Sequence, residues 1–365
     1  MTADSFCIAP GCRARLRRPR SAQAHLRVPA RLTALLTVLL FLSPAPGQEP
    51  SSTTAEQMAS LRGLAEQGDA DAQYGLALCY VECRGRPHSY DDYVEAVRWY
   101  RKAADQGHAQ AMGALGLMYQ EGKGVPRDFV EGARWLRKAA DLGDAAAQLN
   151  LGASYAAGVG VPRDPAEAVR WYRKAADVGN VRAQLNLGMS YDGGDGVPED
   201  LAEALRWYRK AAESGYALAQ VNLGTLYHLG HGVPQDDAEA ARWYRKAADQ
   251  EDADAEYKLG LTYAEGRGVP RDDAEALRWY RKAADQGDAY AQFKVGVIYD
   301  EGRGVPRDSV AAYMWLELAT VTARTTGHGD EKEYADAWEL VRKKMSAAQK
   351  LEAVQRAVEW YKHRQ

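Results

Sequence analysis

Tryptophan returns at Trp99, Trp135, Trp171, Trp207, Trp243, Trp279 and Trp315, each 36 residues after the last. The same run surrounds it each time, as in Glu167-Ala-Val-Arg-Trp-Tyr-Arg-Lys-Ala-Ala-Asp-Val-Gly179. A fixed period of roughly 20–50 residues marks a solenoid, in which each unit buries its apolar face only by stacking on its neighbours. Such an array grows along one dimension and needs no single large core, which suits a 365-residue chain that is 46% hydrophobic.

Each unit reads as helix, loop, helix. The first helix carries Ala-x-x-x-Leu-Gly-x-x-Tyr, as at Ala147, Leu151, Gly152 and Tyr155, with apolar positions on one helical face. Glycine inside a helix costs about 1 kcal/mol against alanine. It nevertheless recurs at Gly116, Gly152, Gly188, Gly224, Gly260 and Gly296, which predicts a close approach of the partner helix. The loop Gly-x-Gly-Val-Pro-x-Asp follows, as in Gly122 to Asp128, and its aspartate stands at an N-cap. Glutamate three residues on (Glu131, Glu167, Glu203, Glu239, Glu275) predicts a capping box. The second helix sets Ala96, Trp99, Tyr100, Ala103 and Ala104 in one apolar stripe, and a glycine such as Gly107 or Gly143 ends it. Glu251 replaces that glycine once, which predicts a looser or differently shaped turn there.

The ends depart from the pattern. Residues 48–54 form a polar linker, and Ala55–Gln67 reads as a cap helix. The first unit has a longer loop, the last lacks the Arg-Lys pair, and Thr325–Gly329 reads as a flexible connection. Two closing helices are expected near 330–345 and 347–363. The organisation is thus a targeting segment (1–47), a linker and N-terminal cap helix (48–68), a repeat array (69–323) and C-terminal capping helices (324–365).

The three motifs together resemble the Sel1-like repeat family, relatives of tetratricopeptide repeats, over roughly 69–323. Met345-Ser-Ala-Ala-Gln349 with Trp360 is similar to the closing helices of bacterial members. The fold implied is an all-α, right-handed superhelical solenoid of about seven 36-residue helix-loop-helix repeats with capping helices. The function implied is generic: an adaptor that assembles or regulates other proteins, often in export pathways or the cell envelope.

Charge and cysteine usage point to an exported protein. Residues 1–47 hold seven arginines and one aspartate, leaving 40 basic against 49 acidic residues in the body. An acidic body argues against nucleic acid as the partner. The basic stretch precedes the apolar run Leu32–Leu42, then Ser43-Pro-Ala-Pro-Gly47, which suits cleavage before Gln48. The run is too short for a membrane span, which needs about 20 residues. A cleaved secretory signal is expected, with an uncleaved anchor as the alternative, and no stable membrane span once the signal is cleaved. The mature chain would then be periplasmic or secreted. Cys7 and Cys12 leave with the signal. For Cys79 and Cys83 two readings stand, a local disulfide or a buried thiol and a loop thiol.

No motif carries evident chemistry. The Gly-x-Gly loops follow no strand and read as helix connectors rather than phosphate cradles. The Arg-Trp-Tyr-Arg-Lys runs put their aromatics on the buried stripe and leave Arg98, Arg101 and Lys102 near acids such as Glu95 on a solvated face. His228 and His231 have a spacing that can share an ion, but no other unit repeats it, so no metal site is assigned and no cofactor is called for. Ser-x-x-Lys and Gly-x-Ser-x-Gly are absent. The chain is read as a non-enzyme, the alternatives being a β-lactam or cell-wall hydrolase-like Sel1 protein and a passive spacer.

By analogy with tetratricopeptide repeats, the first helices line the concave side. The partner-binding positions flank the motif leucine at Tyr74, Leu78, Leu117, Leu149, Leu185, Met189, Val221, Tyr257, Leu261, Phe293 and Val297. An open apolar stripe there would take a segment of an envelope or secreted protein, and the alternative is that some of these fill the superhelix. Asn150, Asn186 and Asn222 precede the motif leucine as a ladder that ties repeats together or bonds a partner's backbone. Its change to Lys258 and Lys294 predicts a preference for acidic ligands in the C-terminal half.

Overall fold

The computed structural model describes residues 52–82 and 89–362, which form seventeen helices and no strand. The expected targeting segment, with Cys7 and Cys12, and Cys83 lie outside the described residues. Helix α1 (Ser52–Glu66) precedes the array. The first four units are α2 (Ala70–Glu82) with α3 (Tyr90–Asp105), α4 (Ala109–Glu121) with α5 (Phe129–Asp141), α6 (Ala145–Ala157) with α7 (Pro165–Asp177), and α8 (Val181–Gly193) with α9 (Leu201–Glu213). The last three are α10 (Ala217–Leu229) with α11 (Asp237–Ala248), α12 (Ala253–Glu265) with α13 (Asp273–Asp285), and α14 (Ala289–Glu301) with α15 (Ser309–Thr326). Helices α16 (Glu331–Lys343) and α17 (Ala347–Lys362) close the chain. Every second helix packs on the first helix of its own unit and on the first helix that follows, so the array is an α-solenoid. Helix α15 runs through Thr326 and ends on left-handed Gly327, so the connection expected to begin at Thr325 starts later.

The glycine of the first helix is explained by a tyrosine ring. A Cβ on Gly188 would lie 2.6 Å from Cδ1 of Tyr208, and Gly152, Gly224 and Gly260 meet Tyr172, Tyr244 and Tyr280 the same way. The second loop glycine locks one unit to the unit before it. Gly160 has φ 72°, and a Cβ there would run into the Phe129 carbonyl oxygen at the start of α5.

The N-caps form as expected, but the capping box forms only at Ser89 and Asp92 among the described second helices. Asp164 Oδ1 accepts from the Glu167 amide at 3.0 Å. The cap's own amide is already taken, because Asp164 N–H donates to the Tyr155 carbonyl at 2.9 Å, and the same bond recurs from Asp128 to Tyr119 and Asp200 to Tyr191. Glu167 is thereby released to Arg170 (3.1 Å) and to the Trp171 indole (2.9 Å).

A buried glutamine, passed over in the sequence, joins consecutive units. Gln73, Gln148, Gln184, Gln220 and Gln292 each donate Nε2 to the carbonyl of an alanine eight residues earlier, at the end of the preceding helix. Their Oε1 atoms are satisfied only where a second glutamine reaches them, Gln106 to Gln73 and Gln250 to Gln220, both at 2.8 Å. Valine, serine and threonine stand at the matching positions 178, 214 and 322, and Gln148, Gln184 and Gln292 keep an Oε1 with no donor.

Glu251 gives its turn a different shape. It holds φ 64°, left-handed but short of the 89–93° of Gly107, Gly143, Gly179, Gly215 and Gly287, and the Asp252 amide bond to Ala247 stretches to 3.4 Å. A left-handed residue with a Cβ is strained by roughly 1–2 kcal/mol. Glu251→Gly is therefore expected to stabilise the chain by about 1 kcal/mol in urea denaturation. At Gly63 in α1 a Cβ would have nothing within 4 Å, so Gly63→Ala is expected to gain a similar amount, about 1 kcal/mol. A loss of stability in either variant contradicts these assignments.

Candidate partner-binding face

The close glycine–tyrosine packing delivers tyrosine hydroxyls to the row of first helices. Tyr172 reaches Asn186 of the next unit, and Tyr208 reaches Asn222. The Tyr208 hydroxyl also donates to Asp192 Oδ2 at 3.1 Å, and Tyr244 meets the Thr225 hydroxyl at 3.3 Å. Burial pushes the Tyr172 and Tyr244 hydroxyls up to about 12. Burial, aided by the Asp192 charge, raises Tyr208 as well. These groups stay neutral and act as donors and acceptors. Asn186 and Asn222 thus lie within reach of a tyrosine of the preceding repeat, and with Asn150 they remain half-buried.

The expected open apolar stripe is interrupted. Leu149, Leu185 and Val221 are core residues at 7%, 4% and 2% exposure, packed beside Tyr172, Tyr208 and Tyr244 respectively. Their position faces the second helix because the glycine one turn on draws that helix in. Leu78 and Leu117 are half-buried on the N-terminal core, and Leu261 and Val297 are half-buried too. Tyr74 stacks on His108 at 4.7 Å, Tyr257 leans on Tyr280, and Phe293 stacks on Tyr334 at 4.5 Å. Of the expected stripe Met189 is exposed, at 49%. The first helices instead leave Leu218, Leu229 and Tyr290 open, residues at helix ends that a register built on the motif leucine does not reach. Lys258 pairs with Asp254 at 3.5 Å, and Lys294 lies 5.8 Å from the Phe293 ring.

The second helices reach the next unit through their arginines. Arg101, Arg137 and Arg173 donate to the hydroxyls of Tyr119, Tyr155 and Tyr191 in the next unit. Arg209 and Arg245 do so at 2.6 Å to Tyr227 and Tyr263. Lys102, Lys174 and Lys246 lie over Trp99, Trp171 and Trp243 at 3.9, 3.7 and 3.7 Å. The first arginine of each run pairs with glutamate as expected, as Arg98 does with Glu95 at 3.0 Å. The second arginine and the lysine stay largely exposed while making inter-repeat and ring contacts, which lace the solvated face together with the salt bridges.

His228 Nδ1 lies 2.6 Å from Asp237 and its Nε2 3.1 Å from Arg267, while His231 is exposed. Among the described residues no three His, Cys, Asp or Glu side chains stand together as a metal site. Cys79 is buried. No described helix is long and apolar enough to cross a membrane.

A solenoid of this unit, with its glycine, loop and tryptophan at fixed offsets, defines a class of repeat protein. The Sel1 repeat model matches residues 70–108, 109–144, 145–180, 181–216, 217–252, 253–288 and 289–320. The chain belongs to the Sel1 repeat family. The first match spans 39 residues where the five after it span 36, which is the longer loop of the first unit. A crystal structure of a Sel1 repeat protein from Oxalobacter formigenes is similar, with 36% identity over 82% of this chain and 86% of that one, at a TM-score of 0.60. A protective antigen of uropathogenic Escherichia coli with this repeat fold is 29% identical over 84% of this chain and 87% of its own, at a TM-score of 0.48. No curated protein matches.

In the sixth unit Glu256 stands in the buried glutamine position, 2% exposed, and accepts from Gln286 at 2.8 Å. Burial holds its carboxyl above the ordinary range, against the opposing Gln286 hydrogen bond. A raised carboxyl favours folding at low pH, and that advantage is lost as pH rises above the ordinary carboxylate range. An ionised glutamate also has no proton for the Ala248 carbonyl. Glu256→Gln is expected to stabilise the chain by about 1 kcal/mol at pH 8, the gain shrinking towards pH 4 in urea titrations. A gain that is absent or independent of pH contradicts this.

Proposed function

We propose that this chain is an exported, non-catalytic adaptor that binds segments of other envelope or secreted proteins along its row of first helices. Sel1 repeats generally serve as protein-interaction scaffolds, and the reading takes that role for this chain. One observation carries it. The first-helix row leaves Met189, Leu218 and Leu229 uncovered on helices that also carry half-buried asparagines. Exposed apolar side chains beside backbone-like amides suit an extended or helical peptide. The acidic body disfavours nucleic acid.

Affinity capture with the full chain from envelope extract tests this. Met189→Glu/Leu218→Glu/Leu229→Glu is expected to lose its partner, while Arg170→Glu/Arg206→Glu on the opposite row keeps it. Circular dichroism must show both folded. Retention by the first variant, or no partner at all, removes the reading. The export component is tested by N-terminal sequencing of the mature protein, which is expected to begin at Gln48; an intact chain in the cytoplasm contradicts it.

A further inference from the structure

The C-terminal end of the first-helix row differs from its middle. Tyr257 of α12 and Tyr290 of α14 lie 5.8 Å apart with rings inclined at 38°. Tyr334 of α16 stands edge-on to Tyr290 at 6.5 Å and 83°. Tyr334 is buried, Tyr257 is half-buried, and Tyr290 is 46% exposed, so the group forms an aromatic corner with one open face. Two carboxylates border it. Asp288 caps α14 through the Ala291 amide, and its charge acts on Tyr257 and Tyr334. Asp254 acts in turn on Asp288.

We infer that this corner is a binding site for a cationic side chain, a guanidinium or ammonium group presented by a partner segment. A tyrosine face attracts a cation within about 6 Å of its centroid, and a guanidinium stacks on it while bonding a carboxylate. Asp288 is half-buried at the N-terminus of α14 and burial raises its carboxyl, so its charge gains from a positive neighbour, while Asp254 stays open to an incoming cation. The site already draws one cation from within the chain: Lys258 Nζ is 3.5 Å from Asp254. His328 also bears on Asp288. Lys258 is thus an internal competitor for the site. The inference rests on the adaptor reading only for the carrier of the cation.

Fluorescence anisotropy of the full chain with a labelled peptide of alternating arginine and serine tests the site, with a glutamate–serine peptide as control. The arginine peptide is expected to bind, more weakly as salt rises, and the glutamate peptide is not. Tyr290→Ala is expected to weaken binding about fivefold and Tyr290→Phe to preserve it, because the ring face carries the attraction. Asp254→Asn/Asp288→Asn keeps the helix cap, since asparagine caps as well as aspartate, and is expected to weaken binding. Lys258→Ala is expected to tighten it. Equal binding by wild type and Tyr290→Ala, absence of binding, or preference for the glutamate peptide overturns the inference. A partner captured from extract and undiminished by Tyr290→Ala removes this site alone; failure of all capture removes the adaptor reading and leaves the anisotropy result to decide the site.

Discussion

The distance between the two helices of a unit controls the rest of this structure. Gly188 has no Cβ, and the Tyr208 ring occupies the space a methyl would need. That contact draws the second helix against the first, buries Leu185 between them and points the Tyr208 hydroxyl past its own unit to Asn222 of the next. The same residue pair therefore sets the core and supplies the polar edge of the first-helix row. Where leucine replaces the tyrosine, at Leu136 and Leu316, the packing survives and no hydroxyl is delivered. The first-helix row is accordingly most polar in its middle units.

Units are joined by bonds that cannot form within one unit. Tyr191 accepts the Asp200 amide at its carbonyl and the Arg173 guanidinium at its hydroxyl, so one residue links the second helices of two units. Gln184 reaches the carbonyl of Ala176 behind it. Bonds of this kind are each worth about 1 kcal/mol. Their effect is repetition: each repeat is completed only by its neighbour, as expected for a one-dimensional array.

Most of the fold was legible in the sequence because it is written seven times. The tryptophan period, the N-cap aspartates and the internal glycines each predicted a structural role, and the Gly188–Tyr208 and Asp164–Glu167 contacts are those roles in atoms. The misreadings share a cause. Glu167 has the spacing of a capping box, but a tertiary acceptor, the Tyr155 carbonyl, had already taken the amide it needs. For Leu149, Leu185 and Val221 the spacing allowed either a groove or a filled superhelix, and the helix approach set by the glycine buries them. Gln184 drew no reading at all because its partner carbonyl lies in another helix. The Tyr257, Tyr290 and Tyr334 corner spans two repeats and the closing helix, so no single unit displays it.

The most direct test of the account is a double-mutant cycle of Gly188→Ala and Tyr208→Ala, read by urea denaturation. If ring and glycine share one space, alanine at 188 destabilises the chain with Tyr208 present and is neutral or stabilising without it. The coupling should then exceed about 1 kcal/mol, the scale found for side chains in direct contact. Additive effects of the two changes would contradict the claim that this contact sets the helix spacing.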